Sequence, residues 1–185
     1  MSFTPTALPD VILFTPRRFG DPRGWFSETY NEQVFSQNGI PIRFVQDNHS
    51  YSAPIHTVRG LHFQKPPHAQ AKLVRCVRGA ILDVAVDIRV GSPTFAQHVA
   101  VKLTAEGGEQ LFVPEGFAHG FVTLLPDTEV VYKVSSLYAP AADAGYSWQD
   151  PAFAIDWGIE AALGILSQKD SALPTLSAAP SPFTL

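Results

Sequence analysis

Short apolar stretches recur from Val11 to Ser136, some alternating with polar residues and others continuous over about five to nine positions, with glycine and proline between them. Period-two patterns and short apolar runs bounded by turn residues predict strands. The candidates are Val11–Phe14, Arg43–Ser50, Thr57–Gln64, Ala71–Val77, Gly79–Ile88, Phe95–Leu103, Gln110–Val113, Gly120–Leu124 and Glu129–Ser136. Val99, Val101 and Leu103 alternate with Ala100 and Lys102, the pattern of a sheet with one buried face. Helical periodicity is scarce: Asn31–Asn38 predicts a short helix ended by Gly39 at its C-terminal cap, and Glu160–Leu166 a second short one. Many short strands with Gly/Pro turns predict an all-β, double-sheet jelly roll with a few short helices. One domain is expected over residues 1–172, followed by an irregular, proline-rich tail over 173–185.

Composition narrows the function classes. The 185 residues are 45% hydrophobic, enough for a sizeable core, and only 16% charged, which is neither a disordered nor a coiled-coil composition. The net charge of −4 gives no electrostatic footprint for nucleic acid, although a few placed arginines can still hold a compact anion such as a diphosphate. The single cysteine, Cys76, lies in the apolar run Leu-Val-Arg-Cys-Val and reads as a core thiol, with no internal disulfide possible. No secretory pattern opens the sequence and no window approaches the ~18 apolar residues of a membrane span, so a cytoplasmic location without membrane contact is expected.

Two segments carry glycine spacings that resemble the cupin jelly rolls. Gly108, Pro114, Gly116 and His119 fit G-x5-P-x-G-x2-H without a gap. Gly60, His68 and Gly79 fit the earlier pattern G-x5-H-x-H-x(3–4)-E-x6-G, but Pro66 stands at its first histidine and Lys72 at its glutamate. A catalytic first-row metal wants at least three imidazole or carboxylate ligands from the protein. Proline supplies none and an ammonium repels a cation, so a barrel with metal-free chemistry and no cofactor is expected.

Four residues stand out as candidate chemistry, each with an ordinary structural reading beside it. His62 lies in Val58-Arg-Gly-Leu-His-Phe-Gln64, where Gly60 permits a close approach or a bulge that turns Arg59 to the same side. Lys72 shares a strand face with Val74 and Cys76. It is either a strand-end lysine reaching solvent or a cation inside the barrel awaiting an anion. Tyr132 reads as a core aromatic with a hydrogen-bonded hydroxyl, and Asp170 as a solvated loop carboxylate.

Together these segments resemble the RmlC family of dTDP-4-dehydrorhamnose 3,5-epimerases. The likeness runs from about Gly20 to Asp170 through Gly20-Asp-Pro-Arg-Gly-Trp-Phe-Ser-Glu28, Gln46-Asp-Asn48, Arg59-Gly-Leu-His-Phe-Gln64, Lys72, Val113-Pro-Glu-Gly-Phe-Ala-His-Gly-Phe121, Tyr132-Lys133, Tyr138 and Lys169-Asp170. The resemblance implies His62 as general base with Asp170 orienting it, Tyr132 as the acid on the opposite face, and Lys72, assisted by His119, as the stabiliser of an enolate oxygen. It implies that Arg23, Phe26 and Glu28 reach the nucleotide of a neighbouring subunit, hence a homodimer. Gln46, Asn48, Arg59, Tyr138 and Lys169 resemble further substrate contacts. Asp143 stands where the family commonly has glutamate, one methylene longer, so a contact to the thymine side is weakened or bridged by water.

The implied substrate is dTDP-4-keto-6-deoxy-D-glucose. Carbons 3 and 5 flank its ketone, and proton loss from either gives an enolate. Inversion needs a base on one face, an acid on the other and a fixed cation at the oxygen. An imidazole near ~6.5 and a phenol near ~10 have the ordinary pKa values for the two proton roles. Rival readings are an epimerase acting at carbon 3 or carbon 5 alone, a cupin 4-keto-sugar isomerase, a metal-dependent cupin enzyme, and a nucleotide-sugar-binding barrel without catalysis.

Overall fold

The computed structural model describes residues 1–185. In chain order its strands are β1 (Ser2–Pro5), β2 (Ile12–Thr15), β3 (Arg18–Asp21), β4 (Gly24–Ser27), β5 (Gln46–Ser52), β6 (Val58–Gln64), β7 (Lys72–Arg78), β8 (Ala80–Asp87), β9 (Arg89–Val90), β10 (His98–Thr104), β11 (Gln110–Val113), β12 (Phe117–Thr123), β13 (Thr128–Val134), β14 (Asp143–Gly145) and β15 (Phe183–Thr184). Helix α1 (Glu32–Gln37) precedes β5, a 3-10 turn spans Ala161–Leu163, and the one-turn α2 spans Gln168–Ser171. Two antiparallel sheets face each other, one ordered β1-β2-β11-β7-β13-β5 and the other β10-β8-β12-β6-β14. This is the all-β double-sheet jelly roll that the turn-punctuated strands predict. No helix is long and apolar enough to cross a membrane.

Burial on both faces explains which strands lose their alternation. The space between the sheets is filled by Val74, Cys76, Ile81, Ala85, Leu111, Phe117, Phe121 and Val130, among others. The outer face of the smaller sheet is covered in turn, with Val84, Val86, Ala118 and Val122 packing under Tyr146, Trp148, Phe153, Trp157 and Phe183. Trp148 and Trp157 meet edge to face at 5.8 Å, and the Trp157 indole donates to the Trp148 carbonyl. β8 and β12 therefore read as continuous apolar runs, as doubly covered strands do. β10, at the edge of its sheet, keeps the alternation seen in sequence, with Ala100 and Lys102 exposed. Under the larger sheet, α1 places Phe35 against Phe14, Leu73 and Phe112. The Asn31 side chain caps α1 by accepting from the Gln33 and Val34 amides, and Gly39 follows at φ +83°.

Several boundaries differ from expectation. β12 begins at Phe117 rather than Gly120, because Ala118, His119 and Gly120 pair fully with β8 despite their weak strand propensity. Residues 95–97 form the turn before β10, where the Phe95 amide donates to the Ser92 carbonyl. Glu160–Leu166 yields only the 3-10 turn. The tail over 173–185 is expected to be irregular, yet its end is tied down. Phe183 and Thr184 pair in parallel with Arg89 and Val90, and Phe183 is buried in the outer cluster. A single buried aromatic fixes this end, which a proline-rich composition conceals.

The feature that shapes the site is a register shift between β6 and β12. His119 pairs with His62 and Phe121 with Arg59, so β6 holds one extra residue between the two pairings. Gly60 sits in that bulge at φ +119°, and a Cβ there would lie 2.6 Å from the Gly120 Cα and 2.7 Å from the His119 carbonyl oxygen. Glycine is required by both backbone angle and space. Gly60→Ala is accordingly expected to destabilise the fold by at least ~2 kcal/mol, combining backbone strain with overpacking. A urea titration that gave an unchanged midpoint would contradict this close packing.

Candidate active site

The bulge brings Arg59 and His62 to the same side of β6, and both line a cavity of about 690 Å³ between the sheets. His62 and His119 enter from the smaller sheet, whereas Lys72, Tyr132, Gln46 and Asn48 enter from the larger one. The volume lies within the range of small-molecule sites. Arg59, Lys72, Tyr138, Asp143, Lys169 and Asp170 complete the charged or polar lining among the candidates.

His62 Nε2 lies 2.6 Å from Asp170 Oδ1. A carboxylate accepts, so Nε2 carries the proton and the Nδ1 lone pair is left for the cavity. Asp170 reaches this position from α2, whose N-cap Ser167 accepts the Asp170 amide at 3.0 Å. Burial pushes the Asp170 carboxyl up, but hydrogen bonds from His62 and Ser167 and the Lys169 charge outweigh it, and the group ends below the usual carboxylate range.

Lys72 is 7% exposed and donates to the His62 carbonyl oxygen at 3.1 Å. Burial pushes its ammonium down to about 8, against the pull of Asp83 and Asp143. The strand-end alternative for Lys72 is thus excluded: the cation is inside the barrel. Tyr132 is raised by burial, with Arg59 opposing, and its hydroxyl has no hydrogen-bond partner within the chain. Such a phenol stays protonated at neutral pH and has its proton to give.

The rim is organised by polar side chains. Arg59 donates to the Tyr51 carbonyl at 2.9 Å and to Ser52 Oγ at 3.2 Å. Gln46 donates to Asn48 Oδ1 and accepts the Tyr138 amide. Asp143 accepts from the Tyr138 hydroxyl at 3.1 Å and from Lys169 Nζ. Gln64 is not free for a ligand, since its amide bridges the His68 and Leu137 carbonyls and accepts from the Ala139 amide.

Three candidates do not join their own chain's cavity. Arg23 and Phe26 lie on the β3–β4 hairpin and Glu28 just after it. Arg23 is held by Asp21, while Phe26 and Trp25 are 69% and 60% exposed. His68, at the second-histidine position of the cupin pattern, is exposed on the turn after β6 and lies outside the cavity. No three His, Cys, Asp or Glu side chains are grouped as metal ligands.

Two residues escaped sequence reasoning. Ser167 positions Asp170, and its signal is the Ser-x-x-Asp capping pattern of Ser167–Asp170. Asp83 lies fully buried beneath the cavity, bonded to His119, and its signal is a lone carboxylate in the apolar run Ala-Ile-Leu-Asp-Val-Ala-Val.

Comparisons with known proteins place the whole chain. The family profile described as dTDP-4-dehydrorhamnose 3,5-epimerase matches residues 5–178. A dTDP-4-dehydrorhamnose 3,5-epimerase from Sinorhizobium fredii is 51% identical over 183 residues, covering 99% of this chain and 93% of that protein. The crystal structure of the Bacillus anthracis enzyme of that name, with TDP and PPi bound, is 50% identical with a TM-score of 0.91, covering 95% of this chain and 99% of that one. The RmlC structure from Legionella pneumophila, in complex with dTDP-4-keto-L-rhamnose, is 39% identical with a TM-score of 0.92, covering 96% and 94%. Fold, family profile and sequence identity over nearly the whole length converge, and the chain belongs to the dTDP-4-dehydrorhamnose 3,5-epimerase family.

Proposed function

We propose that this cavity inverts carbons 3 and 5 of dTDP-4-keto-6-deoxy-D-glucose, giving dTDP-4-keto-L-rhamnose, with the chemistry carried by side chains. The observation that supports this most directly is that the candidate base and acid come from opposite sheets. His62 stands on β6 of one sheet and Tyr132 on β13 of the other, with open space between them. A sugar ring in that space is met on one face by an imidazole lone pair and on the other by a phenol.

The His62 Nδ1 takes the proton beside the ketone, and the C–H electron pair moves into an enolate whose oxygen becomes negative. Asp170 stabilises the imidazolium that results. Lys72 meets the oxyanion in a low-dielectric setting, where a fixed cation is worth most. Tyr132 then delivers a proton to the opposite face of the same carbon. Exchange with solvent returns the proton lost by Tyr132 and removes the one gained by His62. Repeating the sequence at the second carbon after the ring shifts gives the double epimer.

Arg59, Gln46, Asn48, Tyr138, Asp143 and Lys169 are read as the diphosphate and nucleoside contacts around the mouth. The exposed hairpin bearing Arg23 and Phe26, with Glu28 beside it, is read as an arm that completes a neighbouring subunit's site in a homodimer. Its separation from its own cavity and the exposure of two large aromatics on it support that reading.

The test is proton NMR of dTDP-4-keto-6-deoxy-D-glucose with the protein in D2O. Loss of the signals at carbons 3 and 5, with the product reducible to dTDP-L-rhamnose, is expected. Exchange at one carbon alone gives a single-site epimerase, and exchange at neither refutes the assignment. Tyr132→Phe is expected to slow formation of the inverted product roughly a hundredfold while deuterium still enters the starting sugar. Equal loss of both would remove Tyr132 as the acid.

A further inference from the structure

A second His–Asp pair lies beside the first. His119 is the β12 partner of His62 across the sheet. Its Nε2 lies 2.8 Å from Asp83 Oδ1, and the Asp83 side chain is fully buried on β8. The other carboxylate oxygen, Asp83 Oδ2, is buried without any hydrogen-bond partner. Leaving a carboxylate oxygen unsatisfied in a core is costly unless a nearby charge offsets it. The cation available is Lys72, for which Asp83 is the foremost attractive charge.

Both pairs fix the same tautomer. With Nε2–H committed to Asp83, a neutral His119 has no second N–H. Its Nδ1 has no partner within the chain and is not among the buried unpartnered atoms, so it opens to the cavity that His119 lines. Burial holds His119 below the ordinary imidazole range, with the Lys72 and His62 charges acting the same way against Asp83. A neutral ring in this tautomer accepts and cannot donate.

We propose that Asp83 is a positioning residue: it fixes His119 as a hydrogen-bond acceptor for a sugar hydroxyl, and its second oxygen is the counter-charge that keeps Lys72 cationic on the barrel floor. His119 is then no donor to the enolate oxygen. The titratable and charged groups around Lys72 are His62 and Arg59 on β6, Asp83 on β8, His119 on β12, Tyr132 on β13, Asp143 on β14, and Lys169 and Asp170 on α2. Of these, Asp83 is the carboxylate that the chain leaves half unpartnered.

The Lys72 part rests on the epimerase reading, whereas the His119 part is readable on the free enzyme. Long-range nitrogen–proton NMR of protein labelled in its histidine rings is expected to show a pyrrole-like Nε2 and a pyridine-like Nδ1 for His119 at pH 7, assigned by its loss in His119→Gln. The reverse tautomer, or a doubly protonated ring, overturns the proposal whether or not the sugar assignment stands. In Asp83→Asn, checked for fold by thermal melting, the alkaline limb of the kcat/KM profile is expected to move down by about one pH unit, the low end of what losing one opposite charge does. Retained dTDP affinity would separate this from a collapsed site. An unmoved alkaline limb in a folded Asp83→Asn protein overturns the counter-charge role. Should Asp83→Asn fail to fold, the NMR result on the unmodified protein still decides the tautomer.

Discussion

Replacing His62 with alanine is expected to lower proton exchange at both carbons by roughly 10²–10⁴-fold, the usual contribution of a positioned general base. Affinity for dTDP is expected to be largely kept, because Gln46, Asn48, Arg59 and Lys169 lie on the rim rather than at the base. The substitution also strips Asp170 of its imidazole partner while the carboxylate stays buried, leaving the Ser167 cap as its remaining tie. A secondary stability loss of about 1–3 kcal/mol is expected from that unsatisfied group. His62→Gln keeps a donor near Asp170 without an imidazole, so it should recover stability and not exchange. NMR exchange in D2O and calorimetric dTDP titration of both variants separate the two effects. Exchange at the unmodified rate in folded His62→Ala would remove His62 as the base.

Lys72→Met is expected to cut kcat roughly 10²–10³-fold, the loss seen when one oxyanion donor is removed, and to make the protein more stable. The second effect follows from burial. The Lys72 ammonium falls from 10.5 to about 8, which corresponds to about 3 kcal/mol of strain carried by the charged form in the fold. Below pH 8 both folded and unfolded chains are protonated at this position, so the penalty is fully present. Between about 8 and 10.5 the unfolded chain binds the extra proton, and the stability of the unmodified protein rises with pH. The advantage of Lys72→Met is therefore largest at neutral pH, up to about 3 kcal/mol, and fades through that window. Urea unfolding at pH 7 and pH 10 checks the sign, and a variant less stable at pH 7 would contradict a penalised cation. The unmodified enzyme should likewise lose kcat/KM as pH rises through about 8, when Lys72 surrenders its proton.

Much of this was legible in the sequence because the barrel's demands are local. Lys72 shares its strand face with Val74 and Cys76, so period two offered a barrel-interior position beside the strand-end one, and burial decided between them. Gly60 announced a bulge because no other residue tolerates its backbone angle and the contact with Gly120. The His62–Asp170 pair was less accessible, since 108 residues separate its members and the one-turn helix that aims Asp170 has no hydrophobic period. β14 was missed for a similar reason. Asp143-Ala-Gly145 has no strand propensity and exists as a strand because β6 offers it an open edge. The hairpin β3–β4 escaped because its aromatics face outward, inverting the apolar-in rule that pattern reading depends on.

Those outward aromatics have an optical consequence. The chain has three tryptophans, and they occupy two unlike environments. Trp148 and Trp157 share the apolar layer outside the smaller sheet, whereas Trp25 stands in solvent on the hairpin under the Arg18 guanidinium, 4.2 Å from its ring centre. Emission from the buried pair is shielded from iodide and acrylamide until the layer opens, so it reports unfolding. Emission from Trp25 is open to both quenchers, so it reports what covers the hairpin, and its accessibility at rising protein concentration reads subunit association without any added label.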